Sequence, residues 1–189
     1  MTKAELRREL QAARRARPTA DRRRLDVALL ATLADLLATR GATTVAAYVP
    51  MDGEPGGTGL PEALATVAAR VILPVVLPDR DLDWAEFQGP ESLVPARLGL
   101  REPSGPRLGP DAIGGTDVII VPALGVDREG VRLGRGGGSY DRALARTRPP
   151  RLVLALLYPG ELRDRLPSDP HDQPVDGVVL GDRVTLLSP

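Results

Sequence analysis

The 189-residue chain contains no cysteine, and only one histidine, one tryptophan and one phenylalanine. Without cysteine there can be no disulfide, no thiolate metal site and no cysteine nucleophile. Aromatic residues make up 3% of the chain, too few to form a stacking platform for single-stranded nucleic acid. Net charge is also lacking, because 25 basic side chains are matched by 25 acidic ones. That balance argues against a general polyanion binder and leaves room only for a local basic patch. No apolar run approaches the ~20 residues that cross a bilayer. The opening segment MTKAELRRELQAARRAR lacks the apolar stretch of a secretory signal. Its Glu5 and Glu9 set it apart from acid-poor transit peptides in spite of its arginines. The expectation is a cytoplasmic, monomeric protein with no membrane or nucleic-acid partner, a single domain over residues 1–189 with a sizeable core.

Two helices open the pattern. Residues 2–17 read as the first, with Thr2 as N-cap and Glu5 completing a capping box. Leu6, Leu10 and Ala13 share one face, and Lys3, Arg7 and Arg14 a neighbouring one. The second runs from Thr19 to Thr39 with a stripe of Leu25, Leu29, Leu33 and Leu36 or Leu37, and Gly41 marks its end. Short β-branched runs then alternate with helical segments: TTVAAYVP, GLPEALATVAAR, ARVILPVVLP, DVIIVPAL, SYDRALART and RLVLALLYP. This alternation predicts an α/β fold, a mostly parallel open sheet with helices on both faces. VVLGDRVTLL reads as a hairpin or edge strand, and residues 79–115 as a long excursion with a short strand around Trp84 and Phe87.

The stretch RLGRGGGSYDR, residues 132–142, carries the densest chemistry. It lacks the lysine of a Walker loop, and its third dinucleotide-fingerprint position falls on Ser139 instead of glycine. What it keeps is the physics common to both. Gly134, Gly136, Gly137 and Gly138 let backbone N–H groups approach an anion, a helix starts near Ser139, and Arg132 and Arg135 can add charge-assisted hydrogen bonds. A mobile turn is the plainer reading of the same glycines. Asp141 is either a Mg²⁺ ligand or a first-turn acid favoured by the helix dipole.

Residues 121–145, VPALGVDREGVRLGRGGGSYDRALA, resemble the signature of the 5-formyltetrahydrofolate cyclo-ligase (5,10-methenyltetrahydrofolate synthetase) family. KAELR, AAYVPMDGEPGG, VILPVV, REP and PHDQPVDGVV resemble further family segments in the same order, so the similarity runs along almost the whole chain. It implies an ATP- and Mg²⁺-dependent enzyme that converts 5-formyltetrahydrofolate to 5,10-methenyltetrahydrofolate and releases ADP and phosphate. Carried over by position, Lys3, Arg7, Arg132, Gly134, Arg135, Gly136, Gly137, Gly138, Ser139, Tyr140 and Asp141 would bind ATP. Arg135 and Tyr140 would act in catalysis, and Asp141 and Asp172 would hold Mg²⁺. Glu54 would bind the pterin, with Tyr48 lining the same area and Trp84 stacking on the folate rings. His171, the lone histidine, is assigned a peripheral role. Ser139 departs from the family's usual aromatic residue but makes a better N-cap. Two other readings stand beside this one. One is a related ATP-binding enzyme with a different substrate on the same fold. The other is an RNA-binding module that uses the arginine-rich helices.

Overall fold

The computed structural model describes residues 1–149 and 151–187. Helix α1 (Lys3–Ala16) starts at a complete capping box: Thr2 Oγ1 accepts the Glu5 N–H at 3.2 Å, and the Glu5 carboxylate accepts the Thr2 N–H at 2.7 Å. Both bonds satisfy donors that a helix start otherwise leaves unpaired. Helix α2 (Thr19–Arg40) enters through Pro18 and ends at Gly41, whose φ of 62° reverses the chain as a left-handed C-cap. The chain then lays down β1 (Thr44–Ala46), α3 (Leu60–Ala65), β2 (Arg70–Val76) and β3 (Leu82–Glu86). A lateral ribbon of β4 (Leu93–Pro95) and β5 (Arg101–Pro103) follows, then β6 (Val118–Val121), β7 (Gly125–Asp127) and β8 (Arg132–Leu133). The rest is α4 (Ser139–Leu144), β9 (Leu152–Leu157), β10 (Leu162–Arg163), β11 (Gly177–Leu180) and β12 (Arg183–Leu186).

The main sheet has seven strands in the order β12-β11-β9-β6-β1-β2-β3. The run from β11 to β2 is parallel, and β12 and β3 add antiparallel edges. The strand period of two residues sorts side chains between two cores. Val118, Ile120, Leu152, Leu154 and Leu156 meet Leu29, Leu33 and Leu37 of α2 and Leu60 and Leu64 of α3 on one face. Ile119, Val121, Val153 and Leu157 meet Ala143 and Leu144 of α4, with Ile113, on the other. Buried on both sides, β9 (LVLALL) is uniformly apolar, as a central parallel strand must be. Helices therefore cover both faces, and C-terminal VVLGDRVTLL forms the β11–β12 hairpin.

Three details depart from the pattern read along the chain. Helix α3 is shorter than GLPEALATVAAR suggests, because Thr66 Oγ1 donates to the Ala63 carbonyl at 2.7 Å and closes it early. The glycine loop does not leave β6 directly; the β7–β8 hairpin intervenes. That hairpin is shaped by Asp127, fully buried, whose carboxylate accepts the N–H groups of Glu129, Val131 and Leu166. In α1 the third buried position is Arg14, while Ala13 is exposed. Leu6 and Leu10 pack on Leu124, Leu133 and Leu166, and Arg14 extends that stripe by one turn into a buried ion pair. Its Nε donates to Glu161 Oε1 and its Nη2 to Glu161 Oε2, both at 2.7 Å, and Nη2 also reaches the Ala123 carbonyl at 2.6 Å.

Two stability predictions follow from these contacts. Arg14→Ala strands the Glu161 carboxylate, 4% exposed, and should cost about 3–5 kcal/mol in chemical denaturation; a loss below ~1 kcal/mol would mean the pair does not anchor α1. Asp117 accepts hydrogen bonds from the Thr44 and Thr43 N–H groups and the Thr43 hydroxyl, which hold its carboxyl below the usual range. A depressed carboxyl contributes stability above its unfolded pKa, about 3.9, and loses it as pH falls through the lower folded value. Asp117→Asn should therefore flatten the acid limb of the denaturation midpoint below about pH 4, and an unchanged limb would refute the contribution.

Candidate functional site

The loops beyond the carboxyl ends of β1, β2 and β6, together with α1, enclose a cleft of about 980 Å³. Open parallel sheets place ligands at this edge, where loops converge without strand pairing. The cleft is lined by Lys3 and Arg7, by Tyr48 and Glu54, and by the glycine loop as far as Asp141. Residues remote in sequence are thus joined in one cavity of ligand size.

Lys3 and Arg7 stand one turn apart on α1. The Lys3 ammonium donates to Asp172 Oδ2 at 2.6 Å and to Asp169 Oδ2 at 2.7 Å. Arg7 Nε donates to the Gly134 carbonyl at 2.9 Å. The Arg7 guanidinium also lies against Gly136, where a Cβ would come within 3.3 Å of Arg7 Cζ; the φ of 99° there is strained for other residues. Gly136 is therefore needed both for its backbone and for its lack of a side chain. Burial lowers the Lys3 pKa, but the two carboxylates outweigh it and hold the ammonium above its ordinary range. Burial likewise raises Asp172, but the Lys3 and Asp169 hydrogen bonds outweigh it and hold that carboxyl low.

Asp141 sits in the first turn of α4. Its Oδ1 accepts Arg132 Nη2 at 2.7 Å and the Gln173 N–H at 3.2 Å. Arg132 is almost wholly buried, touches the Pro122 carbonyl at 3.3 Å and lies 6.0 Å from the centre of the Tyr140 ring. Its Nε has no hydrogen-bond partner among the described residues. Arg132 thus forms cleft wall and holds Asp141, while Arg135, half exposed, is the more accessible cation of the loop. Arg135 Nε donates to Glu54 Oε1 at 2.9 Å, and Glu54 Oε2 accepts the Met51 N–H at 2.9 Å. Burial, and then the Glu54 charge, push the Tyr140 hydroxyl up, so it stays protonated.

The remaining assignments divide. Tyr48 lines the cleft, but its buried hydroxyl donates to the Pro55 carbonyl at 2.6 Å and braces the Glu54 loop. Burial pushes that hydroxyl well above its ordinary pKa. Trp84 is a correction: it is 0% exposed, inside the core formed with Ile72, Leu82 and Ile113. Its ring has no face for folate to stack on, because β3 pairs with β2 and turns Trp84 inward. Ser139 lines the cleft as the first residue of α4, but the N-cap is Gly138, with φ of 67° and no side-chain cap bond. Asp169 was missed. It lies three residues before Asp172, and the spacing carries no signal until the turn closes, with the Asp169 N–H donating to Asp172 Oδ2 at 2.8 Å. Ligand atoms of Asp169, His171 and Asp172 lie within 4.8 Å of one another, which adds a second carboxylate and a peripheral imidazole near Asp172.

The family model for "5-formyltetrahydrofolate cyclo-ligase family" matches residues 1–181. The chain belongs to the 5-formyltetrahydrofolate cyclo-ligase family. A protein of that name from Mycolicibacterium smegmatis is 42% identical over 187 residues, covering 96% of this chain and 95% of the relative. One from Escherichia coli strain K12 is 33% identical over 150 residues, covering 76% and 80%. The NMR structure of Aquifex aeolicus 5,10-methenyltetrahydrofolate synthetase superposes with a TM-score of 0.84 at 33% identity, over 100% of this chain and 94% of that one. A Mycoplasma pneumoniae 5,10-methenyltetrahydrofolate synthetase, at 23% identity and a TM-score of 0.77, shares the fold over 97% of this chain and 100% of its own. The chain is accordingly an enzyme of the ligase class, and its cleft sets a glycine-rich loop beside a buried carboxylate. Among the described residues no helix is long and apolar enough to cross a membrane.

Proposed function

We propose that this enzyme uses ATP to convert 5-formyltetrahydrofolate to 5,10-methenyltetrahydrofolate in the cleft between α1 and the glycine loop. The observation that carries the proposal is the convergence of Lys3, Arg7 and the glycine loop with Glu54 in one cavity. One part offers cations and backbone N–H groups to a triphosphate, and the other offers a buried acceptor to the N–H groups of a pterin.

The chemistry needs both. The formyl oxygen attacks the γ-phosphorus of ATP as the bond to the ADP oxygen breaks. N10 then attacks the activated formyl carbon and loses its proton, and phosphate leaves with the former formyl oxygen. Protein groups serve such a reaction mainly by positioning and by charge stabilisation. Lys3 and Arg7 hold the phosphates, and Arg135 exchanges its hydrogen bond with Glu54 for the developing charge on the transferred group. Tyr140, kept protonated, donates a neutral hydrogen bond. Glu54, released from Arg135, accepts from the pterin. Arg132 holds Asp141 in place.

Asp141, which makes both its contacts through Oδ1, and Asp172 would hold Mg²⁺ as hard oxygen ligands. When bound there, the ion would neutralise phosphate charge.

Incubation with 5-formyltetrahydrofolate, ATP and Mg²⁺ should generate the methenyl product, read by its absorbance; folded protein that forms none refutes the reaction. Asp141→Asn keeps an acceptor for Arg132 while removing the charge, and should lower turnover by about a hundredfold or more with little change in melting temperature. Near-normal turnover would remove Asp141 from the metal site. Ser139→Tyr restores an aromatic ring at the cleft wall and should tighten ATP or folate binding roughly twofold to tenfold. Unchanged KM for both would show that nothing is missing at this position.

A further inference from the structure

Helix α2 carries an apolar stripe of Leu29, Leu33 and Leu37 that packs into the core. One turn before that stripe stands Asp26, a half-buried carboxylate that the proposed chemistry does not use. Its Oδ1 accepts the Gly56 N–H at 2.9 Å and the Tyr158 hydroxyl at 2.8 Å. The fit is close, since a Cβ on Gly57 would come within 3.0 Å of Asp26 Oδ2. Tyr158, just past β9, is 0% exposed, and its ring centre lies 5.3 Å from the Arg17 guanidinium and 5.9 Å from that of Arg14. Burial, and then Asp26, push the Tyr158 hydroxyl above its ordinary pKa, so it remains a donor.

Gly56 and Gly57 belong to the loop that carries Glu54. Gly53, Gly56 and Gly57 have φ of 80°, 92° and 56°, so the segment has the freedom of glycine and must be pinned to keep one shape. Its internal links are the Glu54 N–H to the Met51 carbonyl at 3.0 Å and the Gly57 N–H to the Glu54 carbonyl at 3.4 Å. Side chains from outside the loop supply the rest. Tyr48 holds the Pro55 carbonyl, Asp26 holds the Gly56 N–H, and the Tyr158 oxygen lies 3.4 Å from the Glu54 carbonyl. The bond to Asp26 is charge-assisted and so stronger than an amide–carbonyl bond. Neither Asp26 nor Tyr158 lines the cleft, so their effect on a ligand passes through the loop.

Resting on the assignment of Glu54 to the pterin, we infer that Asp26 is a positioning residue for folate binding: with Tyr158 it holds the Gly56–Gly57 segment and so aims the Glu54 carboxylate into the cleft. Glu54 is 6% exposed, and its two oxygens accept from Arg135 and from the Met51 N–H. A small displacement of its backbone would spoil the alignment of such a buried acceptor with a ligand. The nucleotide half of the cleft is held by Arg7 on Gly134 and by Arg132 on Asp141, bonds in which Asp26 has no part. Loss of Asp26 therefore bears on folate and spares ATP.

Asp26→Ala removes the acceptor for both donors. In calorimetric titration it should lose roughly tenfold in affinity for 5-formyltetrahydrofolate and less than about twofold for ATP. Asp26→Asn, whose amide oxygen can still accept both bonds, should recover most of the loss. In a Glu54→Ala background there is no carboxylate left to aim, and Asp26→Ala should add less than about twofold. Tyr158→Phe keeps the buried ring and takes away one of the bonds. It should weaken folate binding roughly threefold, and it carries the test if Asp26→Ala does not fold. Equal losses for folate and ATP, full additivity with Glu54→Ala, or unchanged folate affinity in the folded variants would overturn the inference. A Glu54→Ala protein that binds folate as well as the wild type would sink the pterin assignment and the role of Asp26 with it. Weakened folate binding in Glu54→Ala beside unchanged binding in Asp26→Ala would strike the role of Asp26 alone.

Discussion

A guanidinium and a carboxylate withdrawn from water must meet in near-ideal geometry, or the segment that carries them will not stay docked. Arg14 and Glu161 meet that demand with two 2.7 Å hydrogen bonds, a third from Arg14 to the Ala123 carbonyl, and the Tyr158 N–H donating to Glu161 at 2.9 Å. Leu6 and Leu10 alone would bind α1 through a non-directional apolar stripe that can slide. The ion pair allows one register only. Because Lys3, Arg7 and Arg14 lie along the same rigid helix, fixing Arg14 at its base also fixes the two cations at its tip over the glycine loop.

The cleft is otherwise a set of short polar links between elements that could move independently. Lys3 joins α1 to the segment before β11, Arg7 joins it to the loop, and Arg132 ties β8 to α4. Arg135 bridges the loop to Glu54. Each of these cations is paired with a protein carboxylate or carbonyl, so none of the charges is left bare. Such pairing holds the cleft in order in advance, which lowers the cost of organising it for a ligand. Exposure separates the roles: Arg132, nearly buried, shapes the wall, while Arg135, half exposed, faces the cleft opening with Glu54 as its partner.

The basic residues on the first helix point in different directions, and Arg8 and Arg15 are exposed. Lys3 and Arg7 face the cleft and Arg14 faces the core. A stripe of cations on a helical wheel says only which residues are neighbours, and what they meet depends on the surface the helix docks against.

That distinction runs through the molecule. Local chemistry along the chain was enough to specify the capping box at Thr2 and Glu5, the stop at Gly41, the two-sided apolar strands and hence a parallel sheet with helices on both faces. It also specified a glycine loop with the composition of an anion cradle, since caps, turns and two-residue periodicity depend on near neighbours. Tertiary structure decided the rest. Trp84, expected to stack on the folate rings, lies instead in the core, where pairing of β3 with β2 places it. Nothing in the sequence around Asp127, Arg14 and Glu161 marks them as buried, yet burial makes them the fixed points of the hairpin and of α1. Asp169 joined Asp172 only through a closed turn. Burial and pairing between residues more than a hundred positions apart, as for Arg14 and Glu161, leave no periodic mark on a sequence, which is why the sequence could specify the elements and only the packed fold could assign their charges.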